Sequence, residues 1–256
     1  MGVPPANRAR TWRLRRFATI DSTNRWLLDE ARAGEPDGLV AVADEQTAGR
    51  GRRGRTWSAA PGSSLLVSVL VRPGLEAERV HLVTMAAGLA LADAIARVAG
   101  VTPALKWPND LVVDDRKLAG ILAEAEVGAG GDVSAVVVGV GCNVSWDEVP
   151  TELVGIATAC NLEAGRPVDR AELLDAYLEH LASRLDDLAS VEHDYPERLA
   201  TLGMRVRVDL GERVLEGTAR GVDAAGRLLV DPDDGDAGEG DVVAVAAGDV
   251  VHLRPA

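Results

Sequence analysis

Aromatic side chains are scarce here: one phenylalanine, two tyrosines and five tryptophans among 256 residues. A core built from this chain must be largely aliphatic, and a tryptophan inside a polar motif needs a reason. Lysine is scarcer still. Lys106 and Lys117 are the only two, and the remaining residues in the Lys+Arg total of 27 are arginines. Cysteine occurs twice, at Cys142 and Cys160, too far apart for a CxxC motif. The pair reads as buried thiols in a reducing compartment, and cytoplasmic is the default location. Four histidines show no HExxH or other ligand spacing, so a structural metal is not expected. No GxxxxGK[ST] motif is present, so a bound nucleotide would not be held by a P-loop. Positive charge is in deficit, with 27 Lys+Arg against 40 Asp+Glu and a net charge of −13. That balance argues against general nucleic-acid binding, which needs a basic footprint. No uncharged run reaches the ~20 mostly apolar residues that a membrane helix requires.

What is present suggests one large domain and one small one, on a prior of ~150 residues per domain. The arginine-rich start (Arg8, Arg10, Arg13, Arg15, Arg16) has no acid before Asp21 and runs into a strand pattern, "WRLRRFATI". It is serine-poor for a transit peptide and reads as a solvated edge strand. "DSTN" at Asp21 to Asn24 is a helix start, because its side chains can accept from the free N–H groups of a first turn. "LVAVADEQ" (Leu39 to Gln46) and "SSLLVSVLV" (Ser63 to Val71) read as strands. Arg79 to Ala99 reads as a helix apolar nearly all round, hence buried, and ended by Gly100. "ALKWPND" (Ala104 to Asp110) is a strand that must end at Pro108. A hairpin turning at Asp114–Asp115 follows, then a β-branched central strand over Val133 to Val144. A helix is expected around Arg170 to Leu188. Beyond residue 202 only short β-like runs remain, which suggest a small barrel over 203–256 after a larger domain over 1–202. "DPDDGDAGEGD" (Asp231 to Asp241) reads as a solvated acidic turn. The fold class is α+β, with a mixed, largely antiparallel sheet flanked by helices.

One stretch conflicts with the overall charge. "GRGRRGR" (Gly49 to Arg55) packs four arginines and three glycines into seven residues, and Trp57 follows closely. It could be a solvated loop or a single-strand nucleic-acid patch. A lid for a small polyanion explains more. Arginine offers a planar donor fork suited to phosphate and carboxylate, and glycine lets the backbone come close and move. Such a like-charged loop should be disordered when empty and ordered by an anion. "KWPND" and "KLAGIL" carry the two lysines and complete the candidate sites.

Taken together, "DSTN", "DEQTAGRGRRGRTW", "KWPND", "KLAGIL" and "GVGCN" resemble the biotin protein ligase family in order and approximate spacing. The resemblance covers roughly residues 15 to 190. It implies a class II synthetase-like catalytic domain and an SH3-like C-terminal barrel. It implies activation of biotin by ATP, with Mg²⁺ on the phosphates, to biotinyl-5′-AMP and pyrophosphate. Transfer to one lysine of a biotin carboxyl carrier domain follows. Carried over, Ser22, Thr23, Asn24 and Gln46 would hold the ureido ring, helped by the backbone of Gly49, Arg50, Gly51 and Arg52. Arg52 and Lys117 would neutralise the biotin carboxylate and the α-phosphate, with Lys117 catalytic. Trp57 would stack on adenine, while Arg55, Asn109 and Asn143 would contact the nucleotide. Asp110 would orient the incoming amine or assist the metal. About 20 residues precede "DSTN", which suggests a ligase without operator binding, acting as monomer or homodimer. A lipoate–protein ligase or octanoyltransferase of related fold is the nearest alternative reading. A ligand-sensing regulator and an RNA-binding module are more distant ones.

Overall fold

In a computed structural model, residues 10–128, 132–211, 214–233, 242–246 and 248–253 are described. Seven strands form the larger sheet: β1 (Arg13–Ile20), β2 (Leu39–Gln46), β3 (Ser64–Val71), β4 (Ala104–Lys106), β5 (Asp110–Val113), β6 (Arg116–Val127) and β7 (Val133–Asn143). Their spatial order is β1-β2-β3-β7-β6-β5-β4. All neighbours are antiparallel except β1 and β2, which run parallel through the crossover helix α1 (Thr23–Arg32). The arginine-bearing β1 is an edge strand, as its sequence suggests, and β7 lies at the sheet centre.

Period-two alternation sorts the sheet into two faces. Val40, Val42, Leu65, Val67, Val69, Val136, Val138 and Val140 pack into the main core with α2 (His81–Ala99). Leu39, Ala41, Leu70, Ala135 and Val137 face the other way and cover α1 through Leu27, Leu28 and Ala31. Helix α2 is alanine-rich, buried over most of its surface, and stopped by Gly100 in the left-handed region at φ 72°. By length and composition the segment Ala77–Ala99 could cross a membrane, but 78% of its apolar window is packed inside the protein. It is the core helix that its all-round apolarity predicts. Helix α4 (Arg170–Asp186) packs beside it, capped by Asp169 accepting from the N–H groups of Ala171 and Glu172.

Several expectations change. "ALKWPND" is not one strand: β4 stops at Lys106, Trp107–Pro108 is a cis peptide, and β5 begins at Asp110. A short helix α3 (Cys160–Ala164) precedes α4, and a further helix α5 (Leu188–Glu197) follows it, where none was predicted. Pro196 lies in the last turn of α5. The C-terminal strands are β8 (Arg205–Asp209), β9 (Val214–Val222), β10 (Leu228–Pro232), β11 (Val243–Val245) and β12 (Asp249–His252). They form a five-stranded antiparallel sheet, β11-β10-β9-β8-β12. The stretch "VVAVAAGDVVHL" divides into β11 and β12. Asp231 and Pro232 belong to β10 rather than to the acidic turn, and residues 234–241 of that turn lie outside the described residues.

Candidate active site

The α1 side of the sheet carries the site. Ser68 on β3, Gly120, Leu122 and Glu124 on β6, and Gly139 and Gly141 on β7 face away from the main core. Glycine matters at two of these places. A Cβ on Gly139 would sit 2.9 Å from Asn24 Cγ, and one on Gly141 would sit 2.5 Å from a Trp57 ring atom. The missing side chains leave room for a polar group at one end and an indole at the other.

The α1 end is a buried polar network. Ser22 caps the helix by accepting from Arg25 N–H at 3.4 Å. Gln46 Oε1 accepts from Thr23 N–H at 2.8 Å and from the Thr23 hydroxyl at 3.0 Å. The Ser68 hydroxyl lies 2.7 Å from Thr23 Oγ1 and 2.6 Å from Asn24 Oδ1. Asn24 Nδ2 donates to the Leu122 carbonyl at 3.1 Å and to Glu124 at 2.9 Å. Such a chain fixes donors and acceptors in place for an uncharged polar ligand.

The opposite end is cationic. Lys117 Nζ pairs with Asp110 at 2.8 Å and lies 5.7 Å from the Trp57 ring centroid. A β-bulge aims this lysine. Leu111 faces Ala119 while Val112 faces Lys117, so Leu118 is an extra residue in β6. In a regular strand Lys117 and Gly120, three residues apart, would point to opposite faces; with the bulge, Lys117 Nζ would lie 3.2 Å from a Cβ on Gly120. The Lys117 backbone is clamped as well, donating to the Ile156 carbonyl at 2.8 Å and accepting from Thr158 N–H at 2.9 Å.

The arginine loop folds over this floor. An isolated bridge pairs Arg50 with Thr56, and Gly51 N–H donates to the Arg55 carbonyl at 2.7 Å. Arg53 adopts φ 54°, which is costly for a residue with a Cβ. Although an anion-ordered loop was predicted, protein partners are also present. Arg50 pairs with Glu124 at 2.9 Å, Arg52 donates to Asn109 Oδ1 at 3.2 Å, and Arg53 donates to the Asp209 carbonyl at 3.1 Å. The last contact ties the loop to the C-terminal sheet. Trp107 does the same, buried with its indole N–H donating to the Gly226 carbonyl at 3.0 Å. His252 sits between Asp115 and Thr201, 3.2 Å from each.

These parts enclose a cavity of about 300 Å³. Ser22, Thr23, Asn24 and Gln46 line one end, with Arg50 and Gly51 above them. Arg52, Arg55, Trp57, Asn109, Asp110 and Lys117 line the rest. Five cations, counting Lys106, meet a single carboxylate, Asp110, among the described lining residues. Two expected residues stand apart. Gly49 is not in the lining, and a Cβ there would be 3.1 Å from Gln46 Nε2. Asn143 is buried outside the lining, with Nδ2 donating to the Thr158 carbonyl at 3.0 Å. Sequence reasoning missed Ser68, Glu124 and the contribution of Gly248, Val250 and Val251 from the C-terminal sheet. The serine that interrupts the apolar run "LLVSVLV" was the available signal for the first.

Burial pushes the Tyr195 phenol well above its usual range, with Arg52 opposing and Asp110 adding. Its hydroxyl faces the Pro108 carbonyl at 3.5 Å, behind "KWPND". Among the described residues, His193, Asp194 and Glu197 could surround a metal ion, but they are not in the cavity lining.

Fold and site define a small-ligand pocket of an anion-handling α+β enzyme. Residues 16–143 match the Biotin/lipoate A/B protein ligase family, and residues 201–253 match the Biotin protein ligase C terminal domain. The biotin--[acetyl-CoA-carboxylase] ligase of Mycobacterium tuberculosis is 40% identical over 248 residues, covering 93% of this chain and 88% of that protein. The bifunctional ligase/repressor BirA of Escherichia coli is 33% identical over 220 residues, covering 84% and 68%. The structure of the Aquifex aeolicus biotin protein ligase with biotin and ATP is similar at a TM-score of 0.77 and 27% identity, covering 94% of this chain and 99% of that one. The chain belongs to the biotin/lipoate A/B protein ligase family and, with its matching C-terminal domain, to the biotin protein ligases within it.

Proposed function

We propose that the chain activates biotin with ATP and transfers it to a lysine of a biotin carboxyl carrier domain. The observation carrying this reading is one cavity that joins a buried hydrogen-bonding end to a cationic end, with five cations in its whole lining. A neutral ureido ring suits the Ser22–Thr23–Gln46 network. The carboxylate tail would then point toward Lys117 and Arg52.

The first step brings two anions together. At ~4 Å and an effective dielectric of about 20, two unit charges repel by about 4 kcal/mol. Fixed cations offset that repulsion at the moment of reaction. A biotin carboxylate oxygen attacks the α-phosphorus, the bond to the bridging oxygen breaks, and pyrophosphate leaves. The acceptor amine then attacks the acyl carbon and AMP departs with the bond electrons. Lys117 and Arg52 serve as the charge-neutralising pair. Trp57 is the adenine platform, with Arg55 and Asn109 beside the phosphates. Mg²⁺ would ride on the phosphates, and Asp110, the single carboxylate among the described lining residues, would assist the metal or orient the incoming amine. We take residues 1–202 as the catalytic unit and 203–256 as the C-terminal one. Buried, unbridged Cys142 and Cys160 suit a cytoplasmic setting.

The test mixes the purified chain with ATP, Mg²⁺ and a generic biotin-acceptor domain, with biotin or lipoate in parallel. Biotin-dependent pyrophosphate and an acceptor heavier by one biotinyl group are expected. Acceptor modification with lipoate and none with biotin would replace this reading by the lipoate one.

A further inference from the structure

Glu124 lies outside the cavity lining, yet its carboxylate holds two groups that belong to it. It accepts from Asn24 Nδ2 at 2.9 Å, and it pairs with Arg50 Nη1 at 2.9 Å. Asn24 is part of the buried network around Ser68 and Thr23, on the fixed floor of the uncharged end. Arg50 is on the loop that covers that floor. The same carboxylate therefore touches both the ligand-facing floor and the lid.

We propose that Glu124 is a positioning residue that latches the arginine loop to the uncharged end of the cavity. Seating of a ligand against Asn24 and closure of the loop are then coupled through one side chain. The inference rests on the reading of the site given above. Burial limits the size of the effect: the Glu124 side chain is 21% exposed and that of Arg50 is 46% exposed. A pair of that exposure shifts an equilibrium by about two- to fivefold.

The experiment uses the full chain loaded with biotin and Mg-ATP, freed of excess ligand, and followed for loss of enzyme-held adenylate without acceptor. Biotin KM is measured alongside. Glu124→Gln keeps the shape and an acceptor for Asn24 but removes the charge. It should speed adenylate loss and raise biotin KM by about two- to fivefold. Arg50→Ala should speed the loss to a similar degree, and the double variant should add nothing to it, because both remove one interaction. Glu124→Asp should restore part of the retention. A carboxylate with a merely structural role would lower the melting temperature without this non-additivity. Wild-type retention and biotin KM in Glu124→Gln, or effects that multiply in the double variant, would overturn the latch. Should Glu124→Gln fold poorly, wild-type retention in Arg50→Ala overturns it equally. A wild-type chain that forms no adenylate at all would instead bring down the site reading, and the latch with it.

Discussion

Gly139 and Gly141 stand two residues apart on β7, roughly 7 Å along one face of the sheet. The same substitution at each should strike a different substrate. A Cβ on Gly141 would lie 2.5, 2.7 and 2.9 Å from three Trp57 ring atoms. Carbon atoms rest at about 3.5–4.0 Å, so the indole must retreat by about 1 Å. A Cβ on Gly139 would instead press the Asn24 carboxamide, 2.9 Å from Cγ and 3.2 Å from Nδ2. Neither glycine has a positive φ, so alanine itself fits the backbone. Overpacking of this kind costs roughly 1–3 kcal/mol, which is about 5- to 150-fold in a binding constant. Gly139→Ala should raise the KM for biotin by that order with little change for ATP. Gly141→Ala should do the reverse. Pyrophosphate release against each substrate, with melting curves as a control for folding, makes the comparison. Two variants that raise the same KM equally, or that raise neither, would refute the assignment of the two ends.

Lys117→Ala should lower adenylate formation by at least about 10²-fold, the usual loss when a charge-stabilising group is removed; single-turnover pyrophosphate release measures it. Arg52→Ala should weaken biotin binding and shorten retention of the adenylate, seen by calorimetry and by chase experiments. Folding lowers the pKa of His252, chiefly by burial, with Asp115 opposing and Lys106 adding. The unfolded chain therefore takes up the proton first as pH falls. Stability should be lost as pH drops through the ordinary histidine value of about 6.5, until the folded pKa is reached. His252→Gln should flatten that part of the profile in urea midpoints taken across this range. The Cys142 thiol is pushed well up, first by its contact with Cys160 and then by burial. Iodoacetamide should label Cys142 and Cys160 only after unfolding, as read by intact mass.

Much of this molecule was legible because single residues decide local geometry. Gly100 ends α2, Ser22 starts α1, and Asp114 and Asp115 both take positive φ in the hairpin between β5 and β6. The central position of β7 followed from its β-branched run. The boundaries of "KWPND" were not legible, because Trp107 is fixed from outside: its N–H donates to Thr201 and its indole to Gly226. The Lys117 side chain gave its type but not its direction. Only the bulge at Leu118 turns it toward Gly120, and a bulge depends on strand pairing. Glu124 was invisible for a similar reason. Its partners, Asn24 and Arg50, are 100 and 74 residues away in the chain.

The scarcity of lysine has a consequence for the product of the proposed first step. A biotinyl adenylate is a mixed anhydride that acylates any free primary amine it meets. Arginine stays protonated in proteins and is no nucleophile at neutral pH. Lys106 and Lys117 are the only side-chain amines in the chain, and both line the cavity, Lys117 as the partner of Asp110. Beyond that cavity, the chain offers its own reactive product no side-chain amine, and so is spared self-acylation over nearly all of its surface.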